Sequence, residues 1–389
     1  MSITRPRGFR ATGLAAGLKS TGATDLALII NDGPREVAAA VFTANRVQAA
    51  PVLWSREAVA DGRARAVVLN SGGANACTGP EGFADTHRTA ERLAAVLDVS
   101  AQDVLVCSTG LIGERLPMEP LLAGITAAAD ELSAGQEADT AAARAIMTTD
   151  TVPKTAVRTT ASGVTVGGIA KGAGMLAPQL ATMLVVLTTD ADIDADTADA
   201  VLREATSTTF DRVDSDACMS TNDTVILLAS GASGIAPSLE ELTEAVRAVS
   251  ADLARQLVAD AEGASHDVHV VVRAASTEQA ALAVAREIAR SNLVKAAIFG
   301  NDPNWGRIVA AAGCVPETVA PFAVEDLSVT VNGVEVCRGG GAHRDRSEVD
   351  MSPRETLIEV DLGAGTATGD IWTNDLTHDY VEENSAYSS

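Results

Sequence analysis

Short apolar segments rich in β-branched residues alternate with stretches of helical periodicity along the whole chain, and this alternation restricts the fold more than any other feature. Strands are expected over residues 26–30, 37–42, 66–69, 104–107, 164–169, 183–187, 224–228, 266–273, 327–331 and 357–360. Helices are expected between them. The clearest runs over 239–261, with Ser238 at its N-cap, Glu241 completing a capping box and Gly263 marking its end. Ser276 with Gln279 opens another, running through Ala280, Ala283, Ile288 and Ala289, and alanine-rich helices fit 84–97 and 119–132. Ten strands with four or five helices predict a layered α/β or α+β fold, without giving a strand order. No period of 20–50 residues recurs, and composition places no domain boundary. The best internal loop is 231–237.

Size and charge narrow the function. At roughly 150 residues per domain, 389 residues suggest two or three folding units or one large layered body. Sparse aromatics (3%) and 32 glycines imply a core of Ala, Val, Leu and Ile with many tight turns. With 52 acidic against 29 basic residues and a net charge of −23, the surface should repel polyanions, so nucleic-acid binding is not expected. Residues 182–262 alone hold 16 Asp/Glu and 4 Lys/Arg, a net of −12, which reads as a solubilising surface. No apolar run reaches the roughly 20 residues of a membrane span, so no membrane association is expected. The N-terminal MSITRPRGFRATG lacks the apolar stretch of a secretory signal. Five scattered cysteines with no C-x-x-C suit neither a zinc site nor a disulfide framework. A reducing cytoplasm is the expected location.

Most catalytic patterns are absent. Gly172-x-Gly174 near a strand end is not a P-loop, because Lys171 precedes its glycine. Gly339-Gly340-Gly341 reads as a turn. His266 and His269 would lie on opposite faces of one strand, as surface histidines rather than a metal pair. There is no G-x-S-x-G elbow.

Residues 168–184, GIAKGAGMLAPQLATML, combine a glycine-rich loop carrying one lysine, a proline, and a threonine that opens an apolar strand. By themselves Lys171 is a loop lysine in solvent, Thr182 a strand opener, and Glu262 a helix-end acid facing water. The run 107–110 is a strand-to-turn junction. Yet KGAGMLAPQLATML resembles the signature of the ornithine acetyltransferase family, the arginine-biosynthesis bifunctional proteins. NSGGANACTG, CSTGLIGERLP, IMTTDTVPK, DSDACMSTNDT, SNLVKAAIFGNDPNWGRI and the terminal ENSAYSS resemble further blocks, in family order and over essentially the whole chain. Gly73 is a departure, standing where the family pattern has asparagine.

The resemblance implies an α/β layered fold of the self-processing N-terminal-nucleophile type, like ornithine acetyltransferases and aminopeptidases. It implies cleavage between Ala181 and Thr182, giving an α chain of 1–181 and a β chain of 182–389, assembled as an α2β2 heterotetramer. A threonine hydroxyl is a weak nucleophile at neutral pH, and a free α-amine on the same residue supplies a general base. By resemblance the acetyl group of N-acetylornithine passes to Thr182 and then to glutamate in cyclic arginine biosynthesis, without metal or organic cofactor. Thr109 and Gly110 match the oxyanion-hole pair. Thr148, Lys171, Thr182, Glu262, Asn384 and Ser389 match substrate-binding positions. The resemblance leaves open whether acetyl-CoA is a second acetyl donor, which would add amino-acid N-acetyltransferase activity. The alternatives are a self-processing aminopeptidase of similar fold, with water as acceptor, and an inactive binding or scaffold protein.

Overall fold

The computed structural model describes residues 2–177 and 183–386. They form two compact units, residues 2–211 with 218–257, and residues 212–217 with 258–386.

Two sheets build the first unit. One has β1 (Phe9–Leu14), β2 (Leu26–Asn31), β4 (Ala66–Asn70) and β5 (Val104–Ser108) in the order β1-β2-β4-β5, with β4 and β5 parallel. The other has β3 (Val37–Phe42), β9 (Thr224–Ala229), β8 (Leu184–Thr189), β7 (Thr165–Lys171) and β6 (Lys154–Thr159) in the order β3-β9-β8-β7-β6, with β8 and β9 parallel. The two-residue period of a strand sorts the side chains. Leu26, Leu28 and Ile30 join a core with Leu93 of helix α2 (Gly79–Leu97) and Ile125 of α3 (Met118–Asp130). Ala27 and Ile29 face the other way and share a core with Ile169, Val186 and Ile226 of the second sheet. Both faces of the first sheet are thus covered, and β2 reads as an unbroken apolar run for that reason. On the outer face of the second sheet lies α6 (Leu239–Ala259). A Cβ added at Gly168 of β7 would come within 2.9 Å of Leu253 and 3.2 Å of Val249 on that helix.

The second unit is a six-stranded sheet. Its order is β13 (Gly341–Ala342), β12 (Val334–Arg338), β11 (Ser328–Val331), β14 (Glu355–Asp361), β10 (Asp267–Ala275) and β15 (Ala367–Asn374). Val268, Val270 and Val272 pack on Val284 and Ile288 of α7 (Glu278–Arg290) and on Ile308 of α9 (Trp305–Ala312).

Fifteen strands and ten helices lie among the described residues, more than the ten strands and four or five helices expected. Strands β1 (FRATGL) and β6 (KTAVRT) escape a search for apolar runs because each edges its sheet and mixes polar with apolar residues. The cap of α6 is half of the expected box. The Glu241 amide donates to Ser238 Oγ at 3.2 Å, but the Glu241 carboxylate accepts from the Ser162 amide at 2.9 Å. Helix α7 is capped by Thr277, not Ser276, through a bond from the Ala280 amide. His266 is buried against Asp375, with Nδ1 2.9 Å from Oδ2, and is not a surface histidine. His269 stacks on Trp372 with ring centroids 4.1 Å apart and reaches Asp370 at 2.9 Å. The acidic segment is not all surface either, because Asp190, Asp214 and Asp223 are buried. Among the described residues no helix is long and apolar enough to cross a membrane.

Candidate active site

In the first unit, strand ends from both sheets bring the chemistry together. Strand β5 stops at Ser108 and delivers Thr109 and Gly110. The Thr109 amide donates to the Asn70 carbonyl at 3.0 Å, and the Thr109 carbonyl accepts from the Gly73 amide at 3.0 Å. The Asn222 side-chain amide, just ahead of β9, donates to the Ser108 carbonyl at 2.8 Å and the Ala74 carbonyl at 2.7 Å. One side chain of the second sheet's connection therefore ties down the turn at the end of the first. Gly110 has φ 131°, and a Cβ there would lie 2.8 Å from the Gly73 nitrogen, so both conformation and space demand glycine. Gly73 is thus one of the residues that fix Thr109.

Lys171 is the last residue of β7, not a loop residue, and its side chain is 1% exposed. Its Nζ lies 2.7 Å from Thr148 Oγ1 and 3.3 Å from Thr109 Oγ1. An ammonium has no lone pair, so at both contacts the lysine donates and the threonine accepts. Each hydroxyl proton is then available to a further acceptor. A cation on the oxygen also makes each hydroxyl a stronger donor. This is a pre-arranged pair of donors backed by a buried positive charge.

A buried lysine needs an anion, and Asp150 provides it. Its carboxylate lies 2.6 Å from Lys154 Nζ and 4.0 Å from Lys171 Nζ, and it accepts from the Gly172 amide at 2.7 Å and the Thr148 amide at 3.0 Å. Burial alone would raise the Asp150 pKa. Lys171, Lys154 and the Gly172 N–H outweigh it and hold the carboxyl down to about 2. Two buried lysines, Lys154 and Lys171, thus face Asp150. Lys19 lies close enough that Lys171 helps lower its pKa, after the larger effect of burial. It donates to the Met147 carbonyl at 2.7 Å, next to Thr148.

The neighbouring cysteine is no candidate nucleophile. Cys107 is buried in β5, and burial pushes its thiol up to about 12, so no thiolate forms at neutral pH.

Glu262 and Asn384 belong to the second unit. Glu262 is half-buried, not simply an acid facing water, and Asn384 Nδ2 donates to its Oε2 at 3.0 Å. Asn384 lies on α10 (His378–Ala386). Glu262 also lines a cavity of about 310 Å³ with Arg290, Lys295, Asp375 and Tyr380. Thr109, Gly110, Thr148 and Lys171 are therefore gathered in one unit, and Glu262 and Asn384 are paired in the other. Ala181, Thr182 and Ser389 lie outside the described residues. Sequence reasoning missed Asp150 and Asn222. Both sit inside the motif blocks IMTTDTVPK and DSDACMSTNDT, which was the only signal available for them.

The pattern of the ArgJ family matches residues 10–389. The chain belongs to the ArgJ family. It is 61% identical to the arginine biosynthesis bifunctional protein ArgJ of Streptomyces avermitilis, over the full length of both chains. It is 56% identical to the protein of the same name from Bifidobacterium longum, again over all of both. Among solved structures it resembles an ornithine acetyltransferase of Mycobacterium tuberculosis complexed with ornithine, at 56% identity and a TM-score of 0.45. That match covers 47% of this chain and 96% of the other. Family membership favours the transferase reading over the aminopeptidase one. The layered α/β fold expected of an ArgJ protein is the one described above.

Proposed function

We propose that this ArgJ family member is an acyltransferase of arginine biosynthesis, moving the acetyl group of N-acetylornithine to glutamate through an acetyl ester on Thr182. The observation that carries the reading is Lys171 donating to both Thr109 and Thr148. Acetyl transfer passes twice through a tetrahedral oxyanion, and a hydroxyl whose oxygen already accepts from a buried ammonium is prepared to donate to it. The Gly110 N–H is the second donor at that turn.

Cleavage between Ala181 and Thr182 would free the α-amine of Thr182, near pKa ~8 unperturbed, to act as base. The amine takes the hydroxyl proton as Thr182 attacks the acetyl carbonyl. The C–N bond then breaks, and ornithine leaves with that proton on its amine. The α-amine of glutamate next attacks the ester, the Thr182 oxygen departs and recovers a proton, and N-acetylglutamate is released. Nucleophile, base and oxyanion donors all come from the chain, so the scheme draws on no metal or organic cofactor. Lys171 and Thr148 would hold the substrate carboxylate. The Glu262–Asn384 pair and Ser389 would serve as further substrate contacts, with the Glu262 carboxylate suited to the ornithine side-chain ammonium. The cut would leave β7 and β8, paired from Lys171↔Leu184 to Val166↔Thr189, on different chains. That ladder would keep chains 1–181 and 182–389 together, and an α2β2 assembly is part of the same proposal. A cytoplasmic location fits a soluble metabolite pair.

Incubation with N-acetylornithine and glutamate should give ornithine and N-acetylglutamate in equal amounts. Hydrolysis of amino-acid amides without transfer would overturn the proposal in favour of an aminopeptidase. Incubation with acetyl-CoA and glutamate alone tests whether acetyl-CoA is a second acetyl donor, and formation of N-acetylglutamate would show that it is. Thr109→Val keeps shape and removes the hydroxyl. Its kcat should fall by about 10²–10³-fold, and unchanged turnover would remove Thr109 from the oxyanion hole.

A further inference from the structure

The acid Asp223, immediately ahead of β9, is used by nothing described so far. Its side chain is fully buried, and Oδ1 accepts from the Met183 amide at 3.1 Å. Oδ2 is buried and has no hydrogen-bond partner. Met183 is the residue that follows Thr182 in the chain. The contact has a second half, because the Thr224 amide donates to the Met183 carbonyl at 3.1 Å. The parallel pairing of β8 with β9 begins at Leu184↔Thr224. The Asp223 carboxyl extends that ladder by one residue, up to the peptide joined to Thr182.

We propose that Asp223 is a positioning residue for Thr182, gripping the first peptide N–H after the nucleophile and so fixing the direction in which its hydroxyl is presented. This rests on Thr182 being the nucleophile.

The chemistry of the pocket says in which form the acid acts. A buried carboxylate needs a cation or several donors, and Asp223 has one N–H. Lys171 on β7 faces it from a distance. The hydroxyls of Ser220, ahead of β9, and Thr43, after β3, lie nearby without completing a bond to Oδ2. Burial dominates and pushes the carboxyl well above the usual carboxylate range. The neutral acid accepts from Met183 as well as an amide would, and places no negative charge beside a developing oxyanion. Ionisation as pH rises would add that charge and oppose the transition state.

The test compares Asp223→Ala and Asp223→Asn with the native enzyme in acetyl transfer from N-acetylornithine to glutamate across pH. Asp223→Ala should lose about 10–100-fold in kcat with KM changed by less than about threefold, since a nucleophile out of line costs turnover rather than binding. Asp223→Asn should recover most of that loss. It should also lack the decline on the side of rising pH that the native enzyme shows as Asp223 ionises. Native kcat in Asp223→Ala, a loss confined to KM, no rescue by asparagine, or coincident pH profiles of the native enzyme and Asp223→Asn would each overturn the proposal. If Asp223→Ala does not accumulate as folded protein, the pH profile of Asp223→Asn decides alone. Native enzyme trapped with N-acetylornithine separates the two levels. Acetyl-Thr182 with indifferent Asp223 variants sinks this inference only, whereas native enzyme without acetyl-Thr182 sinks the nucleophile assignment and this inference with it.

Discussion

Replacing Thr182 by alanine should abolish acetyl transfer, with kcat falling by about 10⁴-fold or more, and should leave the chain in one piece. On the proposed mechanism one hydroxyl serves both events, which is the reason for so large an effect. It would attack the preceding peptide during self-cleavage and the acetyl carbonyl during turnover. Removing the nucleophile from a set of groups that act together costs almost as much as removing the whole set. Thr182→Ser keeps a hydroxyl and should retain partial cleavage. Denaturing electrophoresis reads the cut, and product formation reads the turnover. A Thr182→Ala protein that is cut, or that turns over at the native rate, would remove Thr182 from the mechanism.

Asp150→Asn should be the most damaging substitution for stability among the described site residues. It keeps the shape of the side chain and an acceptor for the Gly172 amide, but removes the carboxylate charge that faces Lys154 and Lys171, both essentially without solvent exposure. Removing one partner of a buried ion pair typically costs about 3–5 kcal/mol. The midpoint of urea unfolding should drop accordingly, and native stability in the variant would refute this account of the cluster. The same group predicts an acid transition. Its pKa is depressed, from 3.8 to about 2, so its contribution is complete above the unfolded value and is lost as pH falls from near 4 toward 2. Asp150→Asn should flatten stability against pH in that window.

What can be read ahead of the fold follows burial. Strands covered on both faces, such as LALIIN, LVVLTT and TVILLA, are unbroken apolar runs and stand out at once. Edge strands β1 and β6 do not, because their polar positions interrupt the apolar pattern. The site divides in the same way. Thr109, Gly110 and Lys171 are found through resemblance, since a lysine beside glycines looks like a loop residue in solvent. Its burial depends on Asp150, which lies 4.0 Å away in space but in a different sequence block. No local pattern announces a contact of that kind. Asp223 is hidden by composition, as one acid among the 16 of residues 182–262, and only its position beside Met183 distinguishes it.

The most direct measurement is the mass of the enzyme caught during turnover. Native protein quenched while consuming N-acetylornithine without glutamate should contain a fragment beginning at Thr182 that carries one acetyl group on that side chain, and added glutamate should discharge it. An acetyl group on any other residue, or an intact chain that still turns over, would contradict the account.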